Sequence, residues 1–244
     1  MASADETLAQ FAALPPSQLR ERFAEVFAAA ASAGDSPLAR QLTARAFEGP
    51  DGVAFLRSEA VQPFVLQGLG HADATVRAET IALLKPLGTA AADVARLAAC
   101  GALARIAAAL GGELSPSQRA ADFFGACAGG GAAALRAALD DAPTLAALRA
   151  LGGGEKGSTV QLRALATFAE AAAAGEAQLK LLDGLGLLEP LAPLCRDEDD
   201  PLSALNALEL VAVVARGAGG LSWLDGKGIP AELAASLDVD VDAD

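Results

Sequence analysis

The chain has 244 residues, 53% of them hydrophobic, enough to bury a sizeable core and to exclude disorder as its main state. Most of that apolar content is Ala and Leu, with 4% aromatic residues and no Tyr, a composition that favours helices over strands. A net charge of −13 with eighteen scattered Lys and Arg repels a phosphate backbone, which argues against nucleic-acid partners and for basic ones.

In chain order, residues 1–17 form an N-terminal segment. Met1 to Gln10 carries Asp5 and Glu6 and no apolar run, so neither a secretory signal nor a basic transit peptide is expected, and the mature chain is expected to start here. Longer apolar stretches further on are broken by charge, Gly or Pro, as Arg105 breaks Ala98 to Leu110, and none reaches the ~18 residues of a membrane span. Cys100, Cys127 and Cys195 are odd in number and far apart. They suit buried thiols in a reducing cytoplasm, with the nucleus as second compartment, better than a disulfide framework.

From Leu19 onward the chain repeats. Segments of similar texture start at Leu19, Ala60, Gly101, Ala142, Gly186 and Gly228, at spacings of 41, 41, 41, 44 and 42 residues. That is the period of armadillo and HEAT units. Five residues into the later segments stand Val65, Ile106, Ala147, Leu191 and Leu233, and nine residues in stand Leu69, Leu110, Leu151, Cys195 and Leu237. A separation of four puts each pair on one helix face. Gly70, Gly111 and Gly152 follow, where a left-handed C-cap is expected.

A second helix is expected in each unit. Ala78, Ala120, Leu162 and Leu205 are equivalent, followed at three-residue steps by Ile81, Phe123, Leu165 and Leu208, then Leu84, Ala126, Phe168 and Val211. This stripe is amphipathic beside Glu79, Arg163 and Asn206. Helix starts are signalled by Asp35-Ser36-Pro37, Ser115-Pro116-Ser117 and Asp199-Asp200-Pro201, each a capping side chain ahead of a first-turn Pro. The two glycine runs at 129–131 and 152–154 bracket a short helical segment around Ala132 to Leu139 and are expected to be flexible joints or loops. The architecture expected is an all-α, armadillo/HEAT-type solenoid over residues 18–237, with about five helical pairs and a partial sixth, then an acidic tail at 238–244. A single pair cannot bury its apolar face, so the units must stack.

Residues able to carry chemistry are sparse. His71, the one histidine, lies in a turn beside Asp73, and a catalytic base would need further groups in register. The cysteines lack zinc-ligand spacing. Gly125 to Gly131 has no Gly-Lys-Ser or Gly-Lys-Thr ending and no preceding strand, so it does not form a phosphate loop. Asp238, Asp240, Asp242 and Asp244 lack the central Gly and closing Glu of a calcium loop. The cluster Asp197-Glu198-Asp199-Asp200 suits a helix N-terminus or a basic partner. Trp223 is expected to pack between units. No catalytic, cofactor or metal residue is assigned, and neither a membrane nor a small-molecule substrate is expected.

One segment goes further. Leu202-Ser-Ala-Leu-Asn-Ala-Leu-Glu-Leu-Val211, followed by Ala215-Arg-Gly-Ala-Gly-Gly-Leu-Ser-Trp-Leu224 and Gly226-Lys-Gly-Ile229, resembles the non-ATPase regulatory subunit 5 family of the 26S proteasome. Leu202, Leu205, Asn206, Leu208 and Glu209 match that family's helix motif, while the chain is about half the family's length. The resemblance implies a non-enzymatic assembly chaperone of the 19S regulatory particle base that binds the C-terminal domain of a base ATPase subunit. Most of the motif is assigned to packing. Asn206 and Glu209, three residues apart and off the apolar stripe, are the candidate partner contacts. An armadillo-type Hsp70 nucleotide exchange factor and a generic helical scaffold are the competing functions.

Overall fold

The computed structural model describes residues 4–33, 37–155, 157–197 and 199–231. They form α1 (Ala4–Phe11), α2 (Pro16–Glu21), α3 (Phe23–Ala33), α4 (Pro37–Ala46), α5 (Gly49–Leu56), α6 (Gln62–Leu69), α7 (Ala74–Leu84), α8 (Ala91–Ala99) and α9 (Ala102–Ala109). There follow α10 (Leu114–Gly129), α11 (Ala132–Leu139), α12 (Ala142–Gly152), α13 (Thr159–Ala173), α14 (Glu176–Gly184), α15 (Leu191–Cys195), α16 (Pro201–Arg216) and α17 (Gly220–Gly226). Short 3-10 turns occupy Glu59–Val61 and Lys85–Thr89, and the described residues include no strand. Asp35, Ser36, Glu198, Leu233, Leu237 and the acidic stretch 238–244 lie outside the described residues.

The fold is an all-α helical-repeat solenoid. Each unit holds three helices, so the pair expected from the sequence is joined by a third. The units are α3–α4–α5, α6–α7–α8, α9–α10–α11, α12–α13–α14 and α15–α16–α17, with the middle helix generally the longest. Counterparts stack across units: α7 on α10, α10 on α13 and α13 on α16; α6 on α9 and α9 on α12; α8 on α11 and α11 on α14. The segment around Ala132 to Leu139 is therefore α11, a regular third helix that buries Leu135, Ala138 and Leu139. At the N-terminal end, α1 packs on α3 and α4 and seats Leu8 and Phe11 in the core. One contiguous apolar core runs from Leu8 to Ile229, as stacked units require.

The expected stripes hold in the middle of the array and slip elsewhere. Val65, Ile106 and Leu191 are buried, as are Leu69, Leu110 and Cys195, but in α12 the buried positions are Thr144, Leu148 and Gly152, with Ala147 and Leu151 only half-buried. The N-cap explains this: Asp141 accepts from the Thr144 N–H at 3.1 Å and from its hydroxyl at 2.5 Å, turning Thr144 inward. In the middle helices Ile81, Phe123 and Leu165 are fully buried. In α10 the cap position belongs to Glu113 rather than Ser115.

Glycines act differently from the expectation. Gly70, Gly111 and Gly152 are not left-handed; a Cβ there would lie 2.9 Å from Arg105 Nη1, 2.6 Å from Leu151 Cδ2 and 2.9 Å from Phe168 Cε2, so Gly70 and Gly111 admit the next unit and Gly152 admits α13 of its own unit. The glycine run at 129–131 is a tight packing point instead of a flexible joint. Gly130 lies against the preceding unit, where a Cβ would be 2.4 Å from Thr89 O. Gly217, at the end of α16, does the same against Ala173, at 2.6 Å from its Cα.

Polar ties recur between units. Arg96 donates to Arg57 O at 3.0 Å and Arg105 to Leu66 O at 2.7 Å, each meeting carbonyls at a helix end of the preceding unit, while Arg149 of α12 donates to Leu185 O at 3.1 Å at the end of α14 within its own unit. The buried Asp93 carboxylate accepts a forked bond from Arg57 at 2.9–3.1 Å and is flanked by Arg96 at 3.4 Å.

Candidate partner-binding face

The side-by-side middle helices α7, α10, α13 and α16 present one continuous face. Between α10 and α13 this face holds a groove of about 570 Å³, floored by small residues such as Ala121, Gly125, Ala126 and Ala166. Small side chains let a bound chain approach the helix backbones. The rim carries both signs of charge, from Lys85, Asp122, Arg163 and Glu170. Asp122 is paired with Arg119 at 3.5 Å, and Arg163 reaches Gly112 O at 3.3 Å.

On α16 the register is set by its cap. Asp200 accepts from the Ser203 N–H at 3.1 Å and from its hydroxyl at 2.6 Å, and Ser203 Oγ lies 3.3 Å from Gly157 O beside α13. The buried stripe is consequently Ser203, Ala207, Val211 and Val214. Leu205, expected in the stripe, is 55% exposed, Leu202 is 69% exposed and Leu208 is half-buried. Leu202 and Leu205 are thereby freed from packing, while Leu208 still packs against the core. Glu209 is exposed and Asn206 half-buried, so the two candidate contacts border a surface that also shows Leu202 and Leu205. The missed signal was the capping geometry of Asp200 and Ser203, which dictates which leucines turn outward.

Other singled-out residues take structural positions. His71 Nδ1 accepts from the Asp73 N–H at 3.1 Å, and Asp73 caps α7 through the Thr75 N–H at 2.7 Å, which holds its carboxyl below the usual range. Gly125 and Gly129 are helical residues of α10. Burial pushes the Cys127 thiol up to about 12 and raises Cys195 as well. Among the described residues no three His, Cys, Asp or Glu gather as a metal site, and no helix is long and apolar enough to cross a membrane.

Trp223 does pack between units. It stands on α17 against α14, with the Lys227 ammonium 5.7 Å from its ring and 2.8 Å from Asp183 Oδ1. Burial pushes the Asp183 carboxyl up, but Lys227 and the Trp223 N–H outweigh it and leave the group below its ordinary value. No family model matches the chain, and no curated protein matches it in sequence.

Proposed function

We propose that the chain is a protein-binding module that works as an assembly chaperone for the 19S regulatory particle base, engaging the C-terminal domain of a base ATPase subunit. The observation that carries this reading is the outward face of α16. Leu202 and Leu205 are exposed beside Glu209 within the segment that resembles the proteasome subunit 5 family. Exposed leucines rimmed by polar groups are the usual composition of a protein contact. The net charge of −13 favours a basic counterpart.

The test is binding of the purified chain to each base ATPase C-terminal domain and to an Hsp70 ATPase domain, at low and high salt. One ATPase domain should bind, and salt should weaken it, since exposed charges are screened over about 8–10 Å near physiological ionic strength. Leu205→Asp, and Asn206→Ala combined with Glu209→Arg, should each lower affinity about ten-fold with helicity unchanged. Binding to the Hsp70 domain alone would favour the exchange-factor function, and binding to neither would reject the chaperone assignment.

A further inference from the structure

The middle helices stack continuously from α7 to α16, but α4 is not laid against α7 as α10 is. A half-open pocket of about 80 Å³ remains between α3, α4, α6 and α7. Its size sets the scale of what can enter. A dry apolar cavity of about 150 Å³ takes a benzene ring, so this one seats a group of about four or five heavy atoms. Phe23, Phe27, Phe47 and Phe64 line it, with Phe23 and Phe47 buried and Phe27 and Phe64 half-buried. The Phe27 and Phe64 rings stand 5.4 Å apart with their planes inclined at 55°. Val76 and Leu83 of α7 complete the apolar lining on one side.

The lining selects sign as well as size. Aromatic faces carry the negative part of the ring quadrupole and attract cations. Glu79 stands on the α7 side, half-buried and with no hydrogen-bond or ion-pair partner among the described residues. It is the one charged side chain of the described lining, which includes no Lys or Arg. A primary ammonium would exchange three strong hydrogen bonds to water for these mainly apolar walls. A trimethylammonium has no N–H to lose, and its charge is spread over methyl groups that bury as apolar surface. Its nitrogen, three methyls and first methylene also match the space.

Charge chooses the carrier. A phosphocholine head would bring an anion beside Glu79 on a chain of net charge −13, and free choline would lay its hydroxyl against apolar walls. A lysine stem presents only methylenes there, and basic sequence around it suits the acidic chain. We propose that this pocket binds the trimethylated side chain of a lysine on a partner protein, with the ammonium among the Phe rings and Glu79 as its counter-ion. The pocket lies three units away from α16 along the array, so the proposal does not depend on the proteasome assignment.

The test uses the full chain and a fluorescein-labelled Ala/Lys peptide with one central trimethyllysine. Two counterparts carry, at that position, unmodified Lys or the neutral isostere in which carbon replaces the quaternary nitrogen. Fluorescence anisotropy should show the trimethyllysine peptide binding at least about ten-fold more tightly than either. Phe64→Leu, which removes a half-buried ring but keeps apolar bulk, and Glu79→Gln, which removes the charge, should each cut that preference to about three-fold or less. Circular dichroism should show both variants as helical as the parent. Asp225→Asn, the same charge loss on an exposed residue of α17, should leave the preference intact. Equal binding of the carbon isostere would make the pocket a site for apolar bulk alone, and equal binding of unmodified Lys would reduce the effect to overall charge; either overturns the proposal. So would failure of the trimethyllysine peptide to bind, a preference that survives both pocket variants, or choline binding as tightly as the peptide, which would assign the pocket to a free quaternary amine.

Discussion

Replacing Gly130 with Ala, and separately its neighbour Gly129 with Ala, should shift stability in opposite directions. Gly130 has φ −71° and ψ −6°, a conformation open to any residue. Its obstacle is the preceding unit: a Cβ would stand 2.4 Å from Thr89 O, 2.6 Å from Thr89 Cα and 2.8 Å from Thr89 C. These are backbone atoms that cannot rotate aside, and relieving the overlap needs the two segments to part by roughly 1 Å. Overpacking of this kind costs about 1–3 kcal/mol. At Gly129 the added Cβ meets nothing within 4 Å, and the residue is helical. Ala there should stabilise by about 0.4–1 kcal/mol by narrowing the unfolded ensemble. For a chain of this size each kcal/mol moves the midpoint by about 2–4 °C. Urea and thermal unfolding followed by far-ultraviolet circular dichroism will read both variants against the parent. A Gly130→Ala variant as stable as Gly129→Ala would mean that the glycine run is a loose joint, and the close contact between units would be refuted.

Two further perturbations probe the core. Phe123 is fully buried and meets Phe124 edge-on at 5.8 Å, so Phe123→Ala should cost about 3–5 kcal/mol in urea unfolding; a loss under about 1 kcal/mol would place it outside the core. The Cys127 thiol is raised from 9.0 to about 12, so its contribution is fully present below pH 9 and is lost as pH climbs towards 12, up to about 4 kcal/mol. The slope of stability against pH in that alkaline window should flatten in Cys127→Ala, and an unchanged slope would show that the thiol is not what resists ionisation.

The period of the array was legible because it rests on gross features: apolar residues at helical spacing, an Asp-Pro start at α16 and glycines at unit junctions. Residue-level register was less so, and the physical reason is composition. In a helix as rich in Ala and Leu as α16, apolar residues occupy more than one face, so an i, i+3, i+6 stripe through Leu205 and Leu208 competes with the i, i+4, i+8 stripe through Ser203, Ala207 and Val211. The Asp200–Ser203 cap decides between them. Thr144 likewise displaced Ala147 from the core position in α12. The third helix of the unit was hidden by the glycine run before it, since three glycines suggest slack when nothing shows that Thr89 lies against one of them. Asn206 and Glu209 could be placed near a surface from the sequence. The cluster of Phe23, Phe27, Phe47 and Phe64 could not, because its rings come from α3, α6 and the turn after α4 and lie up to 41 positions apart.

The position of Trp223 bears on how this molecule must be measured. The chain has one Trp and no Tyr, so its intrinsic fluorescence arises almost wholly from α17, where the indole sits against α14 beside Lys227 and Asp183. Six of the nine Phe stand in the first 64 residues, at the opposite end. Emission therefore follows the unit that holds α17 and its contact with α14, while the helical dichroism signal averages over every unit. In an array whose cohesion is a chain of nearest-neighbour contacts, terminal units can melt before central ones. Fluorescence and dichroism curves that fail to superimpose would then report fraying from one end, and a single fitted unfolding free energy would describe neither signal.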